Sequence, residues 1–193
     1  NYVKICSMGK YGELLRTLLK KRGITDEAEA DIFLNPSYKR DLHDPWMMKD
    51  MEKACVRLYE AIENKEKIII YADYDCDGIP GAVILTDLFK EIKYKNYEVY
   101  IPMRNSEGYG LNLEAIKQFA DSGVKLIITV DLGITAVAEV AQGEVDGMDI
   151  IITDHHLPPG NLPRAYAILN PKTDNYPEKM LCGAGIVFKL IQG

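Results

Sequence analysis

Three short runs of β-branched and apolar residues, at positions 67–71, 126–130 and 149–153, lack the polar alternation of a strand with one wet face. Runs of this kind belong to strands covered on both sides, and sheets covered on both sides are mostly parallel strands joined by helices. Weaker runs of the same type lie at 97–101 and 165–169. The stretches between them have helical character: 80–92, 113–122, 135–142 and, at the end, 183–191. This alternation predicts right-handed crossovers and an α/β fold, a doubly wound, mainly parallel five-stranded sheet with helices on both faces. With strand order 2-1-3-4-5, the carboxyl ends of strands one, three and four become neighbours, and the ligand crevice of such folds opens there.

Each of the three strong runs leads directly into titratable residues: Asp73-Tyr74-Asp75-Cys76-Asp77-Gly78, Val130-Asp131-Leu132-Gly133 and Asp154-His155-His156. The strand order would gather them on one edge as a metal site. In an extended Asp73-x-Asp75-x-Asp77, alternate side chains point the same way, so three carboxylates would crowd one face. Crowded carboxylates raise one another's pKa unless a cation sits among them. Gly78 permits a sharp turn, and Pro80 suits the first turn of the following helix. A calcium loop of the EF-hand type also begins D-x-D-x-D-G, but here the motif follows a strand and Ile84 stands where the closing glutamate is required.

Asp131 taken alone reads as a helix cap after a strand. Its case rests on company, because a carboxylate lying between two cations can bridge them. Asp154, His155 and His156 are costly to place near a core unless they bind something. Imidazole is a common metal ligand, and an adjacent carboxylate such as Asp154 can orient a ring from behind. His155 and His156 are two of only three histidines, and both fall on the expected edge; the third, His43, reads as structural.

The first 64 residues differ in texture. Residues 12–22 and 26–34 have helical periodicity, with Asp26 and Glu29 spaced as a capping box, and Asp44-Pro45 opens a longer helix over about 47–64. The expected organisation is a helical extension at 1–64 and an α/β domain at 65–193. At 193 residues and 47% hydrophobic, the chain can build such a domain with a substantial core. Its net charge of -6 argues against a free-standing basic clamp for nucleic acid. The four dispersed cysteines, Cys6, Cys55, Cys76 and Cys182, form no C-x-x-C pair and read as reduced thiols. No apolar stretch is long enough to span a membrane, and Asn1-Tyr2-Val3-Lys4 does not open like a signal peptide. The expectation is a soluble, cytoplasmic chain with no membrane partner, cut from a longer protein at both ends.

The three clusters resemble the first three motifs of the DHH phosphoesterase superfamily. Arg22-Gly23-Ile24, Phe33-Leu34-Asn35-Pro36, Leu42-His43-Asp44-Pro45, Ile101-Pro102-x-Arg104, Glu107-Gly108-Tyr109-Gly110-Leu111, Asn170-Pro171-Lys172 and Gly183-x-Gly185-x-x-Phe188-Lys189-Leu190 are similar, more narrowly, to the RecJ single-stranded-DNA exonucleases. The resemblance implies a hydrolase with two divalent ions, Mn2+ or Mg2+, that cuts phosphodiester bonds and releases 5′-mononucleotides in the 5′→3′ direction. It implies Asp75, Asp77, Asp131 and His155 as metal ligands, with Asp131 the bridge. Asp73 would be a catalytic carboxylate beside or just behind them, and His156 would contact the scissile phosphate. Arg104 would pair with a substrate phosphate, with a surface salt bridge as the plain alternative. Tyr109 would stack on a base, the plain alternative being a packed loop tyrosine. Single-stranded DNA is the implied partner, with a single-strand-binding protein or a helicase beside it, in repair and recombination.

Two positions depart from the family's pattern. Pro80-Gly81 stands where Thr or Ser is usual, which removes a hydroxyl, and Ala72 stands where Gly is frequent. The resemblance also implies that a fourth motif and substrate-binding domains lie beyond residue 193, so this segment alone would bind metal incompletely and be weak or inactive. Other expectations of the same chemistry are an oligoribonucleotide or cyclic-dinucleotide phosphodiesterase, or a pyrophosphatase. One of a different class is a non-catalytic binding subunit of a replication or repair assembly.

Overall fold

Apolar spacing in the chain resolves into two compact units, one running up to His43 and the other Asp44–Gly193. The computed structural model describes residues 9–193, so the expectation for Cys6 and for the first four residues lies outside it. In the first unit, helices α1 (Glu13–Lys21), α2 (Glu27–Leu34) and α3 (Tyr38–Asp41) follow one another. Leu19, Ile24 and Ala30 are buried together, with Tyr11, Leu15 and Leu34 packed on them. Asp26 caps α2 as expected, its Oδ1 accepting from the amides of Ala28 and Glu29 at 2.9 and 3.1 Å.

The second unit holds the sheet. After a 3-10 turn at Pro45–Met47 come α4 (Met51–Glu63), β1 (Lys67–Ala72), α5 (Gly78–Glu91), β2 (Tyr97–Tyr100) and α6 (Leu113–Asp121). Then follow β3 (Val124–Val130), α7 (Val137–Val145), β4 (Asp149–Thr153), β5 (Ala167–Leu169) and α8 (Gly183–Gln192). The strands pair in the order β2-β1-β3-β4-β5, every pair parallel. That is the order under which the three clusters converge, and the expected "mainly parallel" sheet is parallel throughout.

Side chains alternate across the sheet, and both faces find apolar cover. Ile68, Ile70, Leu126, Ile128, Val130 and Ile151 pack with Met51 and Leu58 of α4, Leu85 and Phe89 of α5, and Ile186 and Leu190 of α8. Ile69, Tyr71, Ile127, Ile150 and Ile152 pack on the other side with Ile116 and Phe119 of α6 and Val140 of α7. Each fully buried isoleucine contributes about 1.5–3 kcal/mol of transfer free energy. Because consecutive residues in the middle of each run are apolar, both faces of these strands need cover, and this places helices on both sides. The helix at Met51–Glu63 packs within this unit, whereas its place in the sequence groups it with the helical preface. Among the described residues no helix is long and apolar enough to cross a membrane, and Cys55, Cys76 and Cys182 are free thiols.

Candidate metal centre

The ladder of backbone hydrogen bonds runs one residue past the strand ends. The amide of Asp73 donates to the carbonyl of Val130 at 3.1 Å, that of Asp131 to Thr153 at 2.8 Å, and that of Asp154 to Leu169 at 3.1 Å. One carboxylate from each of β1, β3 and β4 is thereby set in a row at the carboxyl edge, and all three are buried. Titratable groups so placed need partners, and each side chain is partnered differently.

Asp73 accepts a 2.7 Å bond from the amide of Tyr74, and burial raises its pKa. β1 stops at Ala72, and residues 75–77 form a turn rather than an extended strand. The expected alternation of Asp73, Asp75 and Asp77 on one extended face is therefore corrected: the turn, not the pleat, brings carboxylates together. Oδ1 of Asp75 accepts from the amides of Gly78 at 3.0 Å and Asp77 at 3.2 Å. These bonds hold its pKa below the usual value, the Gly78 amide foremost. Asp77 sits at the start of α5, and its Oδ2 accepts a 2.8 Å bond from the amide of Gly183, which opens α8.

Asp131 is different. It is fully buried and its backbone is left-handed, at φ +63°, a strained conformation for a residue with a side chain. Neither carboxylate oxygen receives a hydrogen bond among the described residues. Burial and then the facing Asp77 carboxylate push its pKa up to about 9. Nε2 of His155 lies 3.2 Å from its Oδ1 and 3.5 Å from Oδ2 of Asp77. A Cβ on Gly183 would come within 2.5 Å of the Cβ of Asp131, so only glycine lets α8 approach this closely.

Asp154 is satisfied by the protein itself. Its Oδ2 accepts from the amide of Ile134 at 2.9 Å, and its Oδ1 from the amide of His156 at 3.1 Å. Nδ1 of His156 stands 2.7 Å from the same Oδ1. This contact favours the proton on Nδ1 and leaves Nε2 for the site. Ligand atoms of Asp131, His155 and His156 lie within 4.8 Å of one another, and so do those of Asp73, Asp75 and Asp131. The two groups share Asp131. A buried carboxylate without donors, between an imidazole and further carboxylates, fits two divalent cations joined through that residue.

The loop between β2 and α6 flanks this edge. The hydroxyl of Tyr109 donates to the backbone carbonyl of Asp131 at 3.4 Å, and its ring meets His156 edge-on at 6.1 Å between centroids. Its phenol is shifted upward by burial and by the carboxylates around it. The guanidinium of Arg104 stands over the ring of Tyr74, 5.6 Å from its centroid, and has no ion pair among the described residues. The structure thus brings Asp73, Asp75, Asp77, Asp131, Asp154, His155, His156 and Tyr109 to one place, with Arg104 reaching it through Tyr74. The amide of Gly183 has no counterpart among the residues expected from sequence. Its bond to Asp77 joins residues far apart in the chain, and the only local trace is the unusual Gly183-x-Gly185 helix start.

Known proteins share the fold that carries this site. Residues 67–193 match the model of the DHH family, N-terminal domain. The single-stranded-DNA-specific exonuclease RecJ of Bacillus subtilis is 42% identical over 179 residues, which is 92% of this chain and 22% of that protein. A solved structure of exonuclease RecJ bound to manganese superposes with a TM-score of 0.71 at 30% identity, covering 78% of this chain and 38% of that one. RecJ from Thermus thermophilus in complex with Mn2+ gives a TM-score of 0.72 at 25% identity, covering 97% of this chain and 26% of that one. The chain therefore spans well under half the length of each of these relatives.

Proposed function

The chain belongs to the DHH family, and from that premise we propose that it is the metal-binding part of a phosphodiester hydrolase, a 5′→3′ exonuclease that acts on single-stranded DNA and releases 5′-mononucleotides. One observation carries the reading: the fully buried Asp131 carboxylate, which the protein supplies with no hydrogen-bond donor among the described residues. Its chemical complement is a pair of Mn2+ or Mg2+ ions, and solved RecJ structures that this chain resembles are bound to manganese.

In this proposal Asp131, Asp75, Asp77 and His155 would hold the ions from this chain, with Asp131 shared between them. Bound there, the two cations would supply a nucleophile at neutral pH and neutralise charge on the attacking and leaving oxygens. Asp73, buried and held by the Tyr74 amide, stands beside Asp75 and Asp131 and keeps the site negative. Asp154 fixes the ring of His156, whose Nε2 is then presented to the scissile phosphate. Arg104 binds a phosphate oxygen of the strand. Tyr109 borders the entrance; its hydroxyl is occupied by Asp131 and its exposed ring face is available to a base. Residues 65–193 carry the proposed catalytic chemistry, with α4 (Met51–Glu63) packed on that sheet, and the helices before α4 are the proposed extension. The free thiols support a cytoplasmic location, and a single-strand-binding protein or helicase is the proposed protein partner.

The test is release of mononucleotides from 5′-phosphorylated single-stranded DNA by the full-length protein with Mn2+, beside a duplex and a cyclic dinucleotide. Release from the single strand alone is the expected result. Activity confined to the dinucleotide would keep the metal chemistry and move the substrate, and inactivity on all three would overturn the reading.

A further inference from the structure

Four strands of the sheet end in a buried polar residue: Asp73 after β1, Asp131 after β3, Asp154 after β4 and Asn170 after β5. The first three lie in the candidate metal centre. Asn170 continues the row, but its amide does something the carboxylates do not. Its Nδ2 donates to the backbone carbonyl of His156 at 3.0 Å, while its Oδ1 accepts from the amide of Lys172 at 2.9 Å. That second bond turns the chain back, and Nζ of Lys172 donates to the carbonyl of His155. The carbonyls of both histidines are therefore gripped by one three-residue segment, Asn170-Pro171-Lys172.

A buried asparagine after a strand can be explained as a turn former. The bond from the Lys172 amide and the bonds of Thr173 to the Asn170 carbonyl, at 2.8 and 3.0 Å, are accounted for in that way. The bonds from Nδ2 of Asn170 and Nζ of Lys172 to the histidine carbonyls are not, since neither closes the turn. We propose that Asn170 and Lys172 are positioning residues for the metal centre, acting through the backbone of His155 and His156. This inference rests on the proposed metal binding by His155.

The geometry gives the reason. Asp154 fixes the ring of His156 directly, but among the described residues no hydrogen bond fixes the ring of His155, whose Nε2 stands among carboxylate oxygens. Nε2 lies at the far end of its side chain, so a small rotation of the peptide carries it beyond the roughly 0.5 Å that a metal constellation tolerates. An ammonium on the His155 carbonyl and a buried amide on the His156 carbonyl remove that rotation. Charge-assisted bonds of this kind are about twice as strong as neutral ones.

The experiment measures Mn2+ affinity and pulsed-EPR nitrogen coupling in the full-length protein and in the variants Lys172→Met, Lys172→Arg and Asn170→Ala. Partners standing behind metal ligands are typically worth about 10–100-fold in affinity. Lys172→Met is expected to weaken Mn2+ binding about 10-fold and reduce the histidine nitrogen coupling, with the melting temperature of the metal-free protein unchanged. Lys172→Arg, which keeps a cationic donor, is expected to recover most of the affinity. Asn170→Ala should lose at least as much as Lys172→Met; if it does not fold, the half-buried Lys172 decides. Wild-type affinity and coupling in Lys172→Met would overturn the inference, and so would an affinity loss matched by a general loss of stability. Failure of the unaltered protein to bind Mn2+ would overturn the metal centre itself and this inference with it.

Discussion

Two buried ionisable groups sit at opposite ends of the same sheet and are treated in opposite ways. Arg57, on α4 beneath the amino ends of the strands, reaches Oε2 of Glu66 at 2.7 Å, Oδ2 of Asp149 at 2.6 Å and the carbonyl of Lys125 at 3.4 Å. Only its Nη1 lacks a partner among the described residues. Asp131, at the carboxyl ends, receives no hydrogen bond among the same residues and faces further carboxylates, with only the His155 imidazole beside it among the described residues. A charge surrounded by its own counter-ions is part of the scaffold. One surrounded by like charges is unfavourable in the isolated chain and becomes favourable only when something positive arrives. The end of the sheet near Arg57 is built to be finished by folding, and the end near Asp131 by binding.

The largest test of that contrast is Asp131→Asn in the full-length protein. Turnover is expected to fall on the order of 10³-fold or more, while the metal-free protein keeps its thermal stability, because a neutral amide replaces an acid that burial already holds protonated. Near-native turnover would remove Asp131 from its central place. Next comes His156→Ala, expected to slow turnover about 10²-fold while changing metal uptake less. Equal losses in a Mn2+ titration and in the rate would make His156 a direct ligand, which its position within 4.8 Å of the Asp131 and His155 ligand atoms allows. At the other end of the sheet, Arg57→Met should cost about 1–3 kcal/mol in chemical denaturation, limited because Glu66 and Asp149 are partly exposed and can rehydrate. Metal affinity should not change, and a coupled loss would erase the division between the two ends.

The smallest effect is in pH. The folded, metal-free chain holds the Asp131 proton up to about 9, whereas the unfolded chain releases it near the ordinary value of 3.8. Between those values the folded state binds more protons. The stability this group contributes is thus complete below the lower value and is lost as pH rises through the higher one. Burial shifts Asp73 the same way. The melting temperature without metal is expected to fall steadily between pH 5 and 9 on account of Asp131. Asp131→Asn should flatten that slope, and saturating Mn2+ should reverse it, because the ions favour the ionised form. A slope unchanged by the substitution would mean that Asp131 is already ionised in the metal-free fold.

Legibility from sequence followed the range of the forces involved. Uninterrupted runs such as Ile68-Ile69-Ile70 and Ile150-Ile151-Ile152 report burial on both faces and with it the parallel sheet, whereas the convergence of three clusters depends also on the strand order. The N-cap of Asp26 was equally local. What escaped was decided by side-chain bonds to the backbone or by contacts between distant residues. The turn at 75–77 is set by amides of Asp77 and Gly78 bonding back to Asp75, which a period-2 reading of Asp73, Asp75 and Asp77 cannot contain. The helix at Met51–Glu63 follows the preface in the chain, yet its buried Met51, Ala54 and Leu58 pack with the sheet. Asn170 and Lys172 offered only a short motif, because their partners are carbonyls, which have no sequence signature.

The row of polar residues at the strand ends has a consequence for assembly. β3 lies between β1 and β4, so Asp131 meets its neighbours only after a strand from the middle of the chain has been inserted between an earlier one and a later one. Such pairings close long loops and are slow to form compared with local structure. No hairpin, single helix or two-strand fragment of this chain contains the site in miniature. Capture of a divalent ion is therefore a readout of finished topology, and the ion can select the completed sheet over every partly wound arrangement of the same sequence.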